Sequence, residues 1–123
     1  MCLALVIEDE PELAGFVVGA FRHLNIEAVA VESAERAIEL IDQTGRVDVA
    51  FVNLSREDQQ QTLVTTVASR WPHIKLIVLS PRAEDMGRIP PAIFITKPTN
   101  AAILMAVLKR VALNTGKSRG FLQ

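Results

Sequence analysis

Five short apolar segments alternate with longer amphipathic segments along the chain, and they predict the strands of a parallel sheet. The first, residues 3–7, is apolar at every position, which is typical of a strand that is buried on both faces. The others follow at similar intervals. The predicted strands are residues 3–7, 26–31, 47–52, 74–79 and 93–96.

Between these strands, apolar residues recur at intervals of three and four, which indicates helices with one buried face. Pro11 suits a first helical turn, and Ser33 and Asn100 suit N-caps. Gly45 and Pro72 are expected to end the second and third helices. Parallel strands need crossover connections, so the alternation predicts helices on both faces of the sheet, a three-layer α/β/α sandwich.

Two segments depart from this alternation. Residues 81–92 contain three prolines and one glycine, so at most a turn or a short helix is expected around residues 84–88. The helix between the fourth and fifth strands is therefore predicted to be shortened or absent. Residues 114–123 are polar and contain glycine, and we predict one domain over residues 1–113 followed by a flexible tail over residues 114–123.

Polar side chains with useful chemistry follow the predicted strands. Glu8 and Asp9 come after the first strand, Asn53 after the third, Ser80 after the fourth and Lys97 after the fifth. Ligand sites in open parallel sheets form outside the carboxyl ends of the strands. We therefore expect two carboxylates, an amide, a hydroxyl and an ammonium group to meet at one rim of the sheet.

This set of residues resembles the receiver domains of two-component response regulators (CheY-like domains), over residues 3–111. The pair Glu8 and Asp9 is similar to the metal-holding acids of that family, and Lys97 with Pro98 is similar to its Lys-Pro pair. The resemblance implies a flavodoxin-like fold whose five parallel strands have the order 2-1-3-4-5.

The resemblance also implies a role for the remaining rim residues. In receiver domains an aspartate takes a phosphoryl group from a histidine kinase while Mg²⁺ neutralises charge, and Asn53 stands at that phosphoacceptor position. Ser80, Phe94 and Lys97 match the positions that sense the bound phosphoryl group.

Asn53 is the departure that decides the predicted function. Its amide is neutral and a poor nucleophile, so it should not form an acyl phosphate. We predict a pseudo-receiver that works without phosphorylation and acts through protein–protein interaction. Glu8, Asp9 and Ser55 could form at most a weak Mg²⁺ site, and no other cofactor is expected. Lys97 is expected to bridge Glu8 or Asp9 in place of the missing carboxylate.

Composition narrows the remaining classes of function. Thirteen basic and fourteen acidic residues give a net charge of -1, which offers no broad electrostatic attraction to nucleic acid or an anionic membrane. The apolar runs are much shorter than the roughly 20 residues that a membrane span needs. The single cysteine, Cys2, cannot form an internal disulfide, and no secretion signal is recognisable, so a cytoplasmic location is predicted.

Several interpretations stay open at this point. The expected partner is a protein, either a histidine kinase, another signalling protein or a second copy of the chain. An ordinary phosphorelay receiver that is phosphorylated at Ser55 or Asp58 is one alternative. A small Mg²⁺-dependent phosphotransferase or hydrolase is another, although no nucleophilic aspartate and no convincing general base is apparent, so no enzyme is expected. Reuse of the pocket for a small ligand is the last, and the sequence gives neither its shape nor its chemistry.

Overall fold

The computed structural model describes residues 2–81, 92–97 and 99–121. The strands in this part of the chain are β1 (Leu3–Glu8), β2 (Glu27–Val31), β3 (Val47–Asn53), β4 (Lys75–Ser80) and β5 (Ile93–Thr96). The helices are α1 (Pro11–His23), α2 (Ala34–Thr44), α3 (Glu57–Arg70) and α4 (Ala101–Phe121). The predicted turn or short helix around residues 84–88 lies outside the described residues.

All five strands pair in parallel in one sheet, with the order β2-β1-β3-β4-β5. This confirms the predicted flavodoxin-like topology. The strand order reverses between β1 and β3, because the chain adds β2 on one side of β1 and then crosses to the other. The carboxyl ends of β1 and β3 therefore border the crevice in which ligands bind in folds of this class.

Both faces of the sheet are covered by helices, which explains the uninterrupted apolar strands. In β1, Ala4 and Val6 belong to the apolar cluster that includes residues of α1 and α4. The alternate residues, Leu5 and Ile7, belong to the cluster that includes residues of α2 and α3. All four side chains are fully buried, as expected for the inner strand of a three-layer sandwich.

The ends of the helices follow the predicted signals. Pro11 occupies the first turn of α1, and the Ser33 Oγ accepts a hydrogen bond from the Arg36 backbone N–H at 3.2 Å. Gly45 ends α2 in the left-handed conformation, with φ of 61°, which glycine adopts without a steric penalty. Asn100 caps α4, because its Oδ1 accepts from the Ile103 backbone N–H at 2.9 Å.

Helix α4 is longer than the apolar pattern predicts. Its backbone is helical through Phe121, so it extends into the segment that the sequence analysis assigns to a tail. In the described part of the chain, no helix is both long enough and apolar enough to cross a membrane.

Candidate functional site

The candidate site lies at the carboxyl ends of the central strands. Strands β1 and β3 are neighbours, and their register places Glu8 directly opposite Asn53. On the other side, β4 and β5 place Ser80 opposite Thr96, and the Lys97 backbone N–H donates to the Ser80 carbonyl oxygen at 2.9 Å. The parallel topology thus brings the predicted rim residues to one edge of the sheet.

Glu8 and Asn53 form the centre of this rim. The Asn53 Nδ2 donates a hydrogen bond to the Glu8 Oε1 at 2.8 Å, and both side chains are buried, with exposures of 8% and 3% respectively. The second Glu8 oxygen, Oε2, accepts from the Glu10 backbone N–H at 3.4 Å. Burial raises the pKa of the Glu8 carboxyl above its ordinary value, although the hydrogen bond from Asn53 partly opposes this by stabilising the charged form.

Asp9 is held by the loop that follows β3. Its Oδ2 accepts hydrogen bonds from the Ser55 hydroxyl at 2.6 Å and from the Ser55 backbone N–H at 2.9 Å. These two bonds lower the pKa of Asp9 below its ordinary value, and the positive charge of Lys97 adds a smaller effect in the same direction. Asp9 is therefore the stronger acid of the pair, and it fixes the position of Ser55.

The expected bridge from Lys97 to one of the acids is not formed. Among the residues that the structure describes, no ion pair within 4.0 Å joins Lys97 to Glu8 or Asp9. Glu8 is instead hydrogen-bonded to Asn53 and to the Glu10 backbone, and Asp9 is hydrogen-bonded to Ser55.

The remaining predicted residues are less informative. Ser80 is buried at the end of β4, as its position in the sequence suggests. The backbone of Phe94 belongs to β5, but its side chain lies outside the described part of the chain, as does Pro98.

Two buried oxygens near the rim have no hydrogen-bond partner among the described residues. They are the Asn53 Oδ1 and the Thr99 Oγ1. Since the Asn53 Nδ2 points to Glu8, the amide presents a donor to the acid and not an oxygen. No group of three or more histidine, cysteine, aspartate or glutamate side chains is arranged for a metal ion within the described ranges.

Gln60, on α3, supports the rim and was missed by the sequence analysis. Its buried side chain accepts from the Leu54 backbone N–H at 2.6 Å and donates to the Leu79 carbonyl oxygen at 2.6 Å. It therefore ties the start of the loop carrying Ser55 to the end of β4. Gln60 is the middle residue of a stretch of three glutamines, and only the buried face of the helix distinguishes it from the two exposed ones.

The sequence matches no protein-family model and no curated protein. Solved structures, however, are similar to it over most of their length. A response regulator receiver domain protein from Clostridium thermocellum has 17% identity and a TM-score of 0.73, covering 95% of this chain and 98% of its own. A CheY-like receiver domain from Methylobacillus flagellatus has 23% identity and a TM-score of 0.69, covering 90% and 98%.

A third similar structure is the response regulator protein TrrA from Thermotoga maritima in complex with Mg²⁺ and BeF. It has 17% identity and a TM-score of 0.71, and the alignment covers 89% of this chain and 98% of that protein. Identities at this level show a shared fold. The chain therefore has the fold of response regulator receiver domains.

Proposed function

We propose that this chain is a receiver-type module of two-component signal transduction that works without phosphorylation, by binding another protein. The observation that carries the proposal is the hydrogen bond between the Asn53 Nδ2 and the Glu8 Oε1 at 2.8 Å. A neutral amide therefore lies beside Glu8 at the end of β3, where the similar receiver domains are expected to have an aspartate.

An amide at this position cannot replace a carboxylate as nucleophile. The nitrogen lone pair of an amide is delocalised into the carbonyl group, so Asn53 offers no anionic oxygen to a phosphoryl donor. Glu8 does not substitute for it, because its side chain is buried and is hydrogen-bonded to Asn53. The rim therefore supports binding better than phosphoryl transfer, and we propose no enzymatic activity.

The residues present also fit Mg²⁺ poorly. The ion prefers near-octahedral oxygen ligands, and in a phosphorylated receiver it supplies the charge that neutralises the phosphoryl group. Here residue 53 turns its amide hydrogens, and not an oxygen, toward Glu8. Asp9 already accepts two hydrogen bonds from Ser55. We propose that Mg²⁺ binds weakly at most.

The proposed partner is a protein that docks on the helices. Phe16 on α1 and Ile103 on α4 are large apolar side chains with exposures of 42% and 50%, and the two helices contact each other on one side of the sheet. We propose that these side chains belong to the surface that the partner covers. A histidine kinase, another signalling protein and a second copy of the chain are the candidates.

A phosphodonor experiment tests the proposal. The wild-type chain and Asn53→Asp are each incubated with acetyl phosphate and Mg²⁺, and the adducts are measured by intact-protein mass spectrometry. We expect no phosphoryl adduct on the wild type. A receiver domain with the aspartate present serves as the positive control for the donor.

The same experiment separates the proposal from an ordinary phosphorelay receiver. The Ser55 hydroxyl already donates to Asp9, and Asp58 lies in the first turn of α3, hydrogen-bonded to Arg56 at 3.3 Å. A stoichiometric adduct on the wild type that peptide mapping assigns to either residue would contradict the proposal.

A further inference from the structure

Helix α1 has one face that is exposed to solvent in the described part of the chain. The positions on this face recur at intervals of three and four, and all are exposed: Glu12, Gly15, Phe16, Gly19 and Arg22. Phe16 is the large apolar side chain among them, with an exposure of 42%. No charged residue lies between Glu12 and Arg22 in the sequence. The face is therefore uncharged in its middle and charged at both ends.

The charges of α1 are separated by sign along the helix. Glu10 at the N-cap and Glu12 in the first turn make its beginning acidic, and Arg22 and His23 in the last turn make its end basic. Among the described residues, no ion pair within 4.0 Å engages Glu12 or Arg22. Both ends of the face can therefore pair with opposite charges of another molecule.

The Arg22 guanidinium keeps donors for such a partner. One of its N–H groups donates to the Ala28 carbonyl oxygen at 3.2 Å. Glu8, Asp9 and Glu32 line a cavity together with Arg22, but none of these acids forms an ion pair with it within 4.0 Å. Since a guanidinium group has several N–H donors, Arg22 can bind a further carboxylate without giving up the bond to β2.

The middle of the face contains two glycines that the packing of the chain itself does not explain. A Cβ atom at Gly15 or Gly19 would meet no atom within 4 Å, and neither glycine has a positive φ. Glycine weakens a helix relative to alanine, because it loses more backbone freedom on folding. Small residues on a helix face let the backbone of a second helix approach closely. A second helix would therefore fit where the single chain has open space.

The face is complementary to itself when a second copy lies antiparallel. Glu12 and Arg22 are equally far from Val17 along the helix, and so are Gly15 and Gly19. In a two-fold symmetric pair, each contact between two different residues occurs twice. Glu12 of each copy then meets Arg22 of the other, and the glycines meet between them. A parallel pair would bring like charges together, which repel.

We propose that this chain forms a symmetric dimer in which the α1 helices of two copies pack antiparallel. Glu12 and Arg22 pair at both ends, Gly15 and Gly19 allow the close approach, and Phe16 lies beside the contact. This inference rests on the proposed function, binding to another protein, and names a second copy of the chain as that partner.

The size of the helix sets the strength of the dimer. Helix α1 has 13 residues and is therefore about 20 Å long. One pair of such helices buries less than the roughly 1,600 Å² of a standard stable interface, so the dimer should be weak and should depend on protein concentration.

Sedimentation equilibrium of the full chain over about 1 µM to 1 mM tests the inference, because this range covers weak pairs. Glu12→Arg and Arg22→Glu each place like charges together twice in the homodimer. Each should weaken association about tenfold or more. Both residues are exposed, so the fold should be retained, which circular dichroism checks. Added salt should also weaken the wild-type dimer.

Mixing the two charge variants is the sharpest arm of the experiment. When Glu12→Arg pairs with Arg22→Glu, opposite charges meet at both ends, so an equimolar mixture should regain the affinity that each variant alone has lost. The interaction of each new charge with its own helix dipole does not change on mixing. Recovery therefore measures contact between the two copies and not the stability of the helix.

The glycines and a matched control complete the set. Gly19→Ala should raise the stability of the monomer in urea, because alanine favours a helix, and should weaken the dimer about fivefold or more through the added methyl group. Glu35→Arg also reverses a glutamate in a first helical turn, but in α2, and should leave association unchanged.

Three results would overturn the inference. The first is a monomer at all concentrations. The second is a dimer that Glu12→Arg and Arg22→Glu do not weaken, or a mixture of the two that associates no better than either alone. The third is a dimer that Ile103→Ala weakens and Gly19→Ala does not, since the exposed Ile103 lies on α4. A phosphoryl adduct on the wild type would instead contradict the proposed function, whether or not the chain forms a dimer.

Discussion

Replacing Asn53 by aspartate changes the atoms at the centre of the rim without changing the size of the side chain. In the wild type the Asn53 Nδ2 donates to the Glu8 Oε1 at 2.8 Å. In Asn53→Asp an oxygen takes the place of that nitrogen, so two carboxyl groups share one buried space. Like charges in such a position cannot both ionise without a large cost. We therefore expect the substitution to destabilise the fold at neutral pH.

The size of this loss of stability follows from a lost hydrogen bond and from charge repulsion. A hydrogen bond to a charged group contributes about 1.5–3 kcal/mol to stability, and this is lost. Two unit charges about 2.8 Å apart repel by roughly 6 kcal/mol at an effective dielectric constant of about 20. Protonation of one carboxyl group avoids most of this repulsion, at a cost of about 1.4 kcal/mol for each pH unit above its pKa. We expect a net loss of about 2–4 kcal/mol at neutral pH, because the side chains also relax.

The sign of the pH dependence is fixed by the shared proton. In the folded variant the pKa of the carboxyl pair is raised above that of the unfolded chain. The variant is therefore closest to the wild type at low pH and loses stability as the pH rises through the raised pKa. Mg²⁺ should restore part of this lost stability, because the new carboxylate supplies an oxygen ligand beside Glu8, where Asn53 has its amide nitrogen.

Urea unfolding followed by circular dichroism, at acidic and at neutral pH and with and without Mg²⁺, measures these effects. Gln61→Glu is the matched control, since Gln61 is exposed on α3 and the same amide-to-carboxylate change there adds the charge at the surface. If Asn53→Asp were as stable as the control at neutral pH and did not respond to Mg²⁺, the reasoning about the rim would be refuted.

Three further predictions concern the residues around the rim. Because burial raises the pKa of Glu8 above 4.5, the folded state holds this proton more tightly, and stability falls as the pH rises from 4.5 through the raised pKa. Glu8→Gln should abolish that part of the pH dependence in denaturation curves, and an unchanged pH profile would contradict the assignment. Ser55→Ala should raise the pKa of Asp9 toward 3.8 in an NMR titration, and it should cost about 0.5–1 kcal/mol at neutral pH. The stabilisation that ionised Asp9 contributes is present above pH 3.8 and is lost as the pH falls through its lowered pKa. If the stability of Ser55→Ala at acidic pH followed the same pH dependence as that of the wild type, the role of Ser55 would be contradicted. Gln60→Ala leaves two backbone groups unpaired and should cost about 2–4 kcal/mol in urea unfolding, whereas Gln61→Ala, at an exposed position, should cost less than about 0.5 kcal/mol.

Much of the fold could be predicted because local signals and burial point to the same elements. The apolar run of β1 requires burial on both faces, and the parallel sheet supplies it. Pro11, Gly45 and Asn100 mark helix ends through backbone geometry that each of these residues favours. The extension of α4 to Phe121 was not foreseen, since its polar residues lack an apolar repeat.

The composition of the rim could be predicted, but the pairing of its side chains could not. The order of residues along the chain placed Glu8 and Asn53 at strand ends, and parallel topology brought them together. The order of residues along the chain does not reveal that Asn53 and Ser55, and not Lys97, bind the two acids. Gln60 acts through two backbone groups distant in the sequence, so no local pattern reveals it.

The most direct test of the central claim is the amide spectrum of the wild-type chain, recorded with Mg²⁺ alone and then with Mg²⁺ and acetyl phosphate. If Asn53 leaves the module without a phosphoacceptor, the two spectra should coincide at Asn53, Ser80 and Lys97. New resonances at these positions that appear only with the phosphodonor would contradict it.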